Sequence, residues 1–289
     1  MQIYSLFRAI RPLNLVMVAV GQVLTFYFLY FEADPQDLLH KPLWALVIAT
    51  LCIAAAGNVV NDLLDRGADL INKPHKNVFQ NGSPRRWGWG FYVLLNGMGL
   101  YLAFLLSIQF FLIFTIIAIL LLWYSHYLKG LPLVGNILVS LIAGYSILVV
   151  YQFFSVQTPS LVYAYAGFAF LFTLLRELVK DIQDAEGDQE VGYFTLPVRI
   201  GTTRSLSVFK GLLIFTLVAF VQIQIELVQT YFQAPLQWIF IAYLLICVVA
   251  PMFYVLYLVV VKPKEVDFSE LSWMIKYILA TGILSMMFY

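Results

Sequence analysis

The sequence predicts an all-α integral membrane protein. Three observations carry that reading. Hydrophobic residues fill 62% of the 289 positions, while charged residues make up only 11%, against roughly 25% in a soluble domain. Apolar runs approaching the roughly 20 residues that cross a bilayer as a helix recur nine times along the chain, with no stretch between them long enough to fold alone. The charges gather at the ends of those runs, and most of the basic ones fall on one side.

The nine runs are 13–31, 42–60, 88–107, 109–127, 131–151, 160–179, 207–229, 235–260 and 271–288. The first follows Arg8 and Arg11 but ends in F-Y-F-L-Y-F rather than in a small-residue cleavage site, so it is a span and not a signal peptide. The third and fourth are separated only by a turn near Ser107–Gln109. If the N-terminus is cytoplasmic, its side of the membrane holds fifteen of the seventeen Lys and Arg residues; the other side holds only Lys41, and Lys276 lies inside the last span. That bias places the N-terminus and loops 2–3, 4–5, 6–7 and 8–9 in the cytoplasm, with the cell membrane as the expected location. The loop acids Glu32, Asp34 and Asp37 on the opposite side read as a solvated segment.

Several functions are excluded early. A net charge of +1 argues against nucleic acid as a partner. Cys52 and Cys247 sit in apolar runs and give no disulfide framework or zinc site. His40, His75 and His126 are scattered. There is no G-x-x-x-x-G-K-[ST] loop for nucleotide hydrolysis.

Two polar stretches stand out. Asn58, Asp62, Asp65 and Asp69, at the end of the second span, are spaced +4, +3, +4, which puts all four on one helical face. Glu177, Asp181, Asp184 and Asp188, at the end of the sixth span, repeat the same spacing on the same side of the membrane. Both halves therefore show an even-numbered span running into an acidic helix end and then a long basic loop. Carboxylates set this close repel one another and need cations, and an all-oxygen set suits Mg²⁺ better than zinc. Lys73 and Lys76 follow the first stretch, and Arg176 and Lys180 lie in the second. Acids to hold Mg²⁺ beside bases to take phosphate charge fit a diphosphate, and a diphosphate so stabilised can leave an allylic carbon. A cation forming there needs a dry cavity with aromatic faces. Tyr124, Tyr127, Tyr145 and Tyr151, near predicted span ends, are candidates to line it.

At these stretches the chain resembles the UbiA-type membrane prenyltransferases. That family's N-D-x-x-D-x-x-x-D motif stands here as Asn61-Asp62-Leu63-Leu64-Asp65-Arg66-Gly67-Ala68-Asp69, and its D-x-x-x-D motif as Asp184-Ala185-Glu186-Gly187-Asp188. The early Arg11-Pro12 pair is also similar to the family. The segment R-E-L-V-K-D-I-Q-D-A-E-G-D, followed by T-L-P-V at Thr195–Val198, looks most like the branch that transfers a geranylgeranyl group to a glycerophosphate ether. One departure stands after the first motif, where the family's usual Arg-Pro is replaced by Lys76-Asn77; lysine binds phosphate as a point charge without the bidentate fork.

The resemblance implies one domain over residues 1–289: a single bundle of nine transmembrane helices around a central cavity, with a polar cytoplasmic mouth and a side opening to membrane lipid. It implies a Mg²⁺-dependent enzyme, a prenyl diphosphate donor and a lipophilic acceptor. Asn61, Asp62, Asp65 and Asp69 would hold one Mg²⁺, and Asp181, Asp184 and Asp188 a second, with Asp62, Asp65 and Asp184 central to catalysis. Asn58, Lys73, Lys76, Arg176, Lys180, Tyr124 and Tyr145 would contact substrate. The alternatives are prenylation of an aromatic or quinone precursor and, outside enzymes, an ion-coupled transporter or a non-catalytic prenyl-diphosphate binder.

Overall fold

The computed structural model describes residues 2–29, 39–72, 78–79, 85–154, 159–231, 236–263 and 265–289. Every regular element among them is helical. In chain order they are α1 (Gln2–Ala9), α2 (Pro12–Leu29), α3 (Lys41–Leu64), α4 (Arg66–Asn72), α5 (Arg85–Leu106), α6 (Ile108–His126), α7 (Val134–Phe154), α8 (Pro159–Glu190), α9 (Leu196–Ile200), α10 (Thr202–Tyr231), α11 (Leu236–Leu244), α12 (Ala250–Val261) and α13 (Phe268–Leu284). Among the described residues nine segments are long and apolar enough to span a bilayer, α11 and α12 counting as one. Large apolar side chains cover the outside, as a lipid-facing surface requires: Leu112, Ile116, Ile119 and Trp123 form an exposed stripe along α6.

The boundaries have local causes. Ser107 takes an extended conformation between α5 and α6, and its Oγ accepts from the Phe110 N–H at 3.3 Å, so one capping residue reverses the chain where the sequence leaves almost no loop. Pro42 sits in the first turn of α3, where its missing N–H leaves no gap in the ladder. Asp267 caps α13 by accepting from the Ser269 and Glu270 N–H groups. Between α11 and α12 a π-helical turn, Leu245–Val249, precedes Pro251, and the widened turn accommodates the ring and the absent donor within one span.

The chain forms two compact units. One comprises Met1–Val23, Asp34–Leu138 and Glu186–Thr195; the other comprises Leu24–Ala33, Val139–Ala185 and Leu196–Tyr289. In the first, α3 is the central helix. Its small residues let neighbours approach: a Cβ on Gly99 of α5 would lie 3.1 Å from the Ala49 carbonyl and the Cys52 Cβ, and one on Gly57 would lie 2.9 Å from Leu121 of α6. Near its polar end, Val59 and Leu63 pack with Ala9, Leu6 and Ile10 around the short first helix, so α1 rests on the end that carries the first motif.

In the second unit α8 takes the central place. Leu161, Val162, Tyr165, Ala166 and Ala169 pack with Leu29, Ile147, Leu227 and Met286. Gly144 of α7 lies against the Ala166 carbonyl, and Gly282 of α13 lies under the Phe168 ring, where a Cβ would overlap it.

Candidate functional site

The first motif is built where α3 stops. Asp65 leaves the helix at φ −80° and ψ 5°, its N–H bonded to the Asn61 carbonyl at 2.8 Å, and α4 starts at the next residue. That small change of direction keeps Asp69 in continuous hydrogen bonding, its N–H donating to the Asp65 carbonyl at 2.9 Å.

The motif side chains sit in a charged web. Arg11 donates to Asp62 Oδ1 at 2.9 Å. Asn61 donates to Asp65 Oδ2 at 2.7 Å, and Lys129 donates to Asp65 Oδ1. Asn58 donates its amide to the Ile10 carbonyl at 3.0 Å, which ties α3 to the chain just before Arg11. Arg11 itself has φ +54°, left-handed and directly before a proline, a conformation disfavoured for a residue with a side chain. The Asn58 bond and the Asp62 ion pair are what hold it there.

Residues 186–195 complete the web within the same unit. The Gly187 N–H donates to Asn72 Oδ1 at 2.9 Å, and a Cβ on Gly187 would overlap that amide, so the second motif carries glycine where α4 touches it. Asp188 is 9% exposed and accepts from Thr195 Oγ at 3.2 Å. Tyr193 stands under the Lys129 ammonium, 5.5 Å from Nζ to ring centre, while the Phe194 N–H donates to the Gly130 carbonyl at 2.8 Å. Burial, followed by the carboxylates Asp65, Asp188 and Asp69, pushes the Tyr193 phenol up to about 12. It is therefore a neutral hydrogen-bond donor beside these acids at physiological pH.

In the second unit, α8 carries Asp181 and Asp184 on the helical face that also bears Asp188. One and two turns further back, Glu177 accepts from Lys180 at 2.7 and 2.9 Å and from Arg176 at 3.3 Å. The two expected phosphate contacts thus both lie on a buried carboxylate. A small apolar cleft between α8 and α10 lies nearer the start of α8, lined by Tyr163, Phe168, Leu171, Phe220, Ile223 and Leu227.

Asn58, Asn61, Asp62, Asp65, Asp69 and Asp188 thus fall in one unit, and Arg176, Lys180, Asp181 and Asp184 in the other. Lys73 and Lys76 lie outside the described residues. Tyr124 is near the end of α6, but Tyr145 is in the middle of α7 rather than near its end, donating to Gln152 Oε1 at 2.6 Å. Among the described residues no three His, Cys, Asp or Glu side chains converge as a ready metal cluster; basic and amide side chains already contact Asp62 and Asp65. The donor set still fits Mg²⁺, being carboxylate and amide oxygen throughout.

Sequence reasoning missed Lys129, Tyr193 and Asn72. Lys129 entered only as a loop charge. Its signal was there: a lone lysine in the short turn Y-S-H-Y-L-K-G-L-P between two spans.

Comparison with known proteins bears on the family and the fold. The model of the UbiA prenyltransferase family matches residues 19–276. The chain is 34% identical over 209 residues to the digeranylgeranylglyceryl phosphate synthase of Thermococcus kodakarensis, covering 72% of this chain and 73% of that one. It is 32% identical over 216 residues to the synthase of the same name from Natronomonas pharaonis, covering 74% and 75%. Among solved structures, a digeranylgeranylglyceryl phosphate synthase superposes with a TM-score of 0.66 at 24% identity, over 99% of this chain and 97% of that one. A UbiA homologue from Archaeoglobus fulgidus bound to DMAPP and Mg²⁺ superposes with a TM-score of 0.67 at 17% identity, over 98% and 99%.

Proposed function

Because the chain belongs to the UbiA prenyltransferase family, and is on that ground a membrane prenyltransferase, we propose that it transfers a geranylgeranyl group from geranylgeranyl diphosphate to geranylgeranylglyceryl phosphate, with Mg²⁺. The observation that carries this reading is the web in which Asp62, Asp65 and Asp188 are held beside Arg11, Lys129 and Tyr193. The names of the relatives support the acceptor.

Asn61, Asp62, Asp65 and Asp69 would hold one Mg²⁺, and Asp181, Asp184 and Asp188 a second. When bound, Mg²⁺ neutralises the diphosphate and makes it a better leaving group. The chain's own residues do the rest. Asn61 and Lys129 orient Asp65, and Arg11 orients Asp62. Lys129 and Arg11 also bring positive charge to the place where diphosphate charge develops. Lys73, Lys76, Arg176 and Lys180 are assigned to the phosphates of donor or acceptor. Tyr193, neutral at working pH, offers a donor and not a further negative charge. Tyr124, Tyr145 and Asn58 are assigned to the substrate pocket. The bond between the allylic carbon and the diphosphate oxygen breaks, and the acceptor hydroxyl oxygen bonds to that carbon and releases its proton. The charge bias of the loops supports a cytoplasmic side for the motif-bearing ends, and the cell membrane is the location proposed with it.

The test uses purified protein in lipid, radiolabelled geranylgeranyl diphosphate and Mg²⁺, with geranylgeranylglyceryl phosphate or a panel of aromatic acceptors, each against EDTA. An EDTA-sensitive ether-lipid product is expected. Product only with an aromatic acceptor would move the reaction to quinone precursors, and binding without product in any tube would contradict transfer.

A further inference from the structure

The hydroxyl of Tyr193 has a role above. Its ring has a separate one, and the chain builds the ring's place step by step. Helix α8 ends at Glu190. Gly192 follows at φ +77°, a left-handed conformation that suits glycine. Its N–H donates to the Gln189 carbonyl at 3.1 Å, and the Tyr193 N–H donates to the Asp188 carbonyl at 2.8 Å. These are the two bonds of a Schellman cap, with Gly192 as the left-handed residue and Tyr193 next after it. The cap fixes the backbone of Tyr193 against Asp188, whose carboxylate accepts from Thr195 Oγ at 3.2 Å.

The same turn is latched to the chain that follows α6, within one compact unit. The Phe194 N–H donates to the Gly130 carbonyl at 2.8 Å. Gly130 presents a bare face to the Tyr193 ring: a Cβ there would lie 3.0 Å from Cδ1 and 3.4 Å from Cγ, closer than carbon atoms pack at rest. The ring then lies under the neighbouring Lys129, 5.5 Å from Nζ to its centre, within the range of a cation–π contact.

Lys129 is 9% exposed, and desolvation strengthens such a contact. Among the described residues its ammonium contacts the ring and the Asp65 carboxylate. Asp65 also accepts from Asn61 at 2.7 Å. A lysine stem has many rotamers, and one carboxylate holds only its tip. The ring closes off the side on which the ammonium would fall away from Asp65.

We propose that Tyr193 is a positioning residue: its ring, set by the cap that follows Asp188, holds the Lys129 ammonium at Asp65, so that the end of the second motif places a base of the first. The proposal rests on the prenyl-diphosphate reading above, in which Lys129 brings charge to the leaving group. Tyr193 acts here through Lys129, while Gly192 turns the chain and Gly130 leaves room for the ring.

The test replaces Tyr193 by leucine, by phenylalanine, and by phenylalanines with one, two and three ring fluorines. Fluorines keep the ring's shape and drain the negative charge of its face. Thermal unfolding without ligand reads the contact itself. Tm should fall stepwise with fluorination, and the steps should vanish in a Lys129→Met background; equal steps in both backgrounds would overturn the contact. Calorimetric titration of geranylgeranyl diphosphate with Mg²⁺ reads the positioning, and needs no Lys129→Met protein. Tyr193→Leu should raise Kd by about 5–30-fold and Tyr193→Phe by no more than about threefold. The fluorinated rings should fall between them in order of face charge. Binding by Tyr193→Leu as tight as wild type, or tighter, would overturn the proposal. Gly130→Ala gives a second route, because its methyl meets the ring. It should weaken donor binding by about 2–5-fold in wild type and not at all in Tyr193→Leu; an equal loss in both would overturn the role of the ring. If wild type binds no geranylgeranyl diphosphate yet Tm follows the fluorine series only when Lys129 is present, the ring contact stands and the prenyl-diphosphate reading fails. If ether lipid forms and neither Tm nor Kd follows the series, that reading stands and the positioning role fails.

Discussion

Helices α3 and α8 hold matching places in their units, and they treat their charges differently. Each is the most buried spanning helix of its unit, with 56% and 61% of the apolar window inside the protein, and each runs into polar residues spaced +4, +3, +4, three acids after Asn58 in one and four acids in the other. At the end of α3 the bases come from elsewhere in the chain: Arg11 precedes α2 and Lys129 follows α6. Along α8 the bases come from the same helix, Arg176 and Lys180 both closing on Glu177. A carboxylate held by distant chain segments reports on the assembly of its whole unit. One held by its own helix is set as soon as that helix forms. The first arrangement ties its carboxylates to tertiary structure; the second needs only its own helix.

Substitutions can break that contrast, and their effects should fall in a definite order. The largest loss is expected from Asp65→Asn and Asp184→Asn, each lowering Mg²⁺-dependent transfer about 10²–10³-fold; retention of full activity by both would remove the metal assignment. Next is Lys129→Met. Its side chain is 9% exposed and paired with Asp65, and removing one partner of a buried pair costs about 3–5 kcal/mol. Thermal unfolding should show a clear fall in Tm for Lys129→Met and a much smaller one for Lys180→Met, whose side chain is 26% exposed and local to its own helix. If the two fall equally, the contrast between distant and local pairing is wrong.

Smaller effects sharpen the picture at α4. Gly187→Ala should destabilise by about 1–3 kcal/mol through overpacking against the Asn72 amide, and Asn72→Ala in the same protein should return part of it, measurable as a coupling in a double-mutant cycle. Tyr193→Phe should have the smallest effect. It keeps the ring under Lys129 and removes only the hydroxyl, so steady-state kinetics should show a loss of no more than about tenfold.

Much of this was legible beforehand, for physical reasons. Span length and composition are properties of the chain itself, so nine spans were readable, as was a turn near Ser107–Gln109, which the structure sets at Ser107. The spacing of Asp62, Asp65 and Asp69 was readable because helical periodicity maps sequence onto a face. What was hidden is tertiary. No local pattern says that Lys129 meets Asp65 across 64 residues, or that Asn72 meets Gly187 across 115. Tyr145 was misplaced because an apolar run shows its ends only to within a few residues, and α7 carries that residue at mid-length. Glu177 shares a face with the acids of the second stretch in the sequence; the structure pairs it with both Arg176 and Lys180. Gly187, an unspecified position of D-x-x-x-D, is the point where α4 touches.

The most direct measurement is calorimetric titration of geranylgeranyl diphosphate into the protein in nanodiscs, with and without Mg²⁺, for wild type, Asp65→Asn and Asp184→Asn. The account predicts tight binding only with Mg²⁺, two Mg²⁺ taken up per diphosphate in wild type, and one lost in each variant. Binding of equal strength in EDTA, or a metal stoichiometry unchanged by both substitutions, would contradict it.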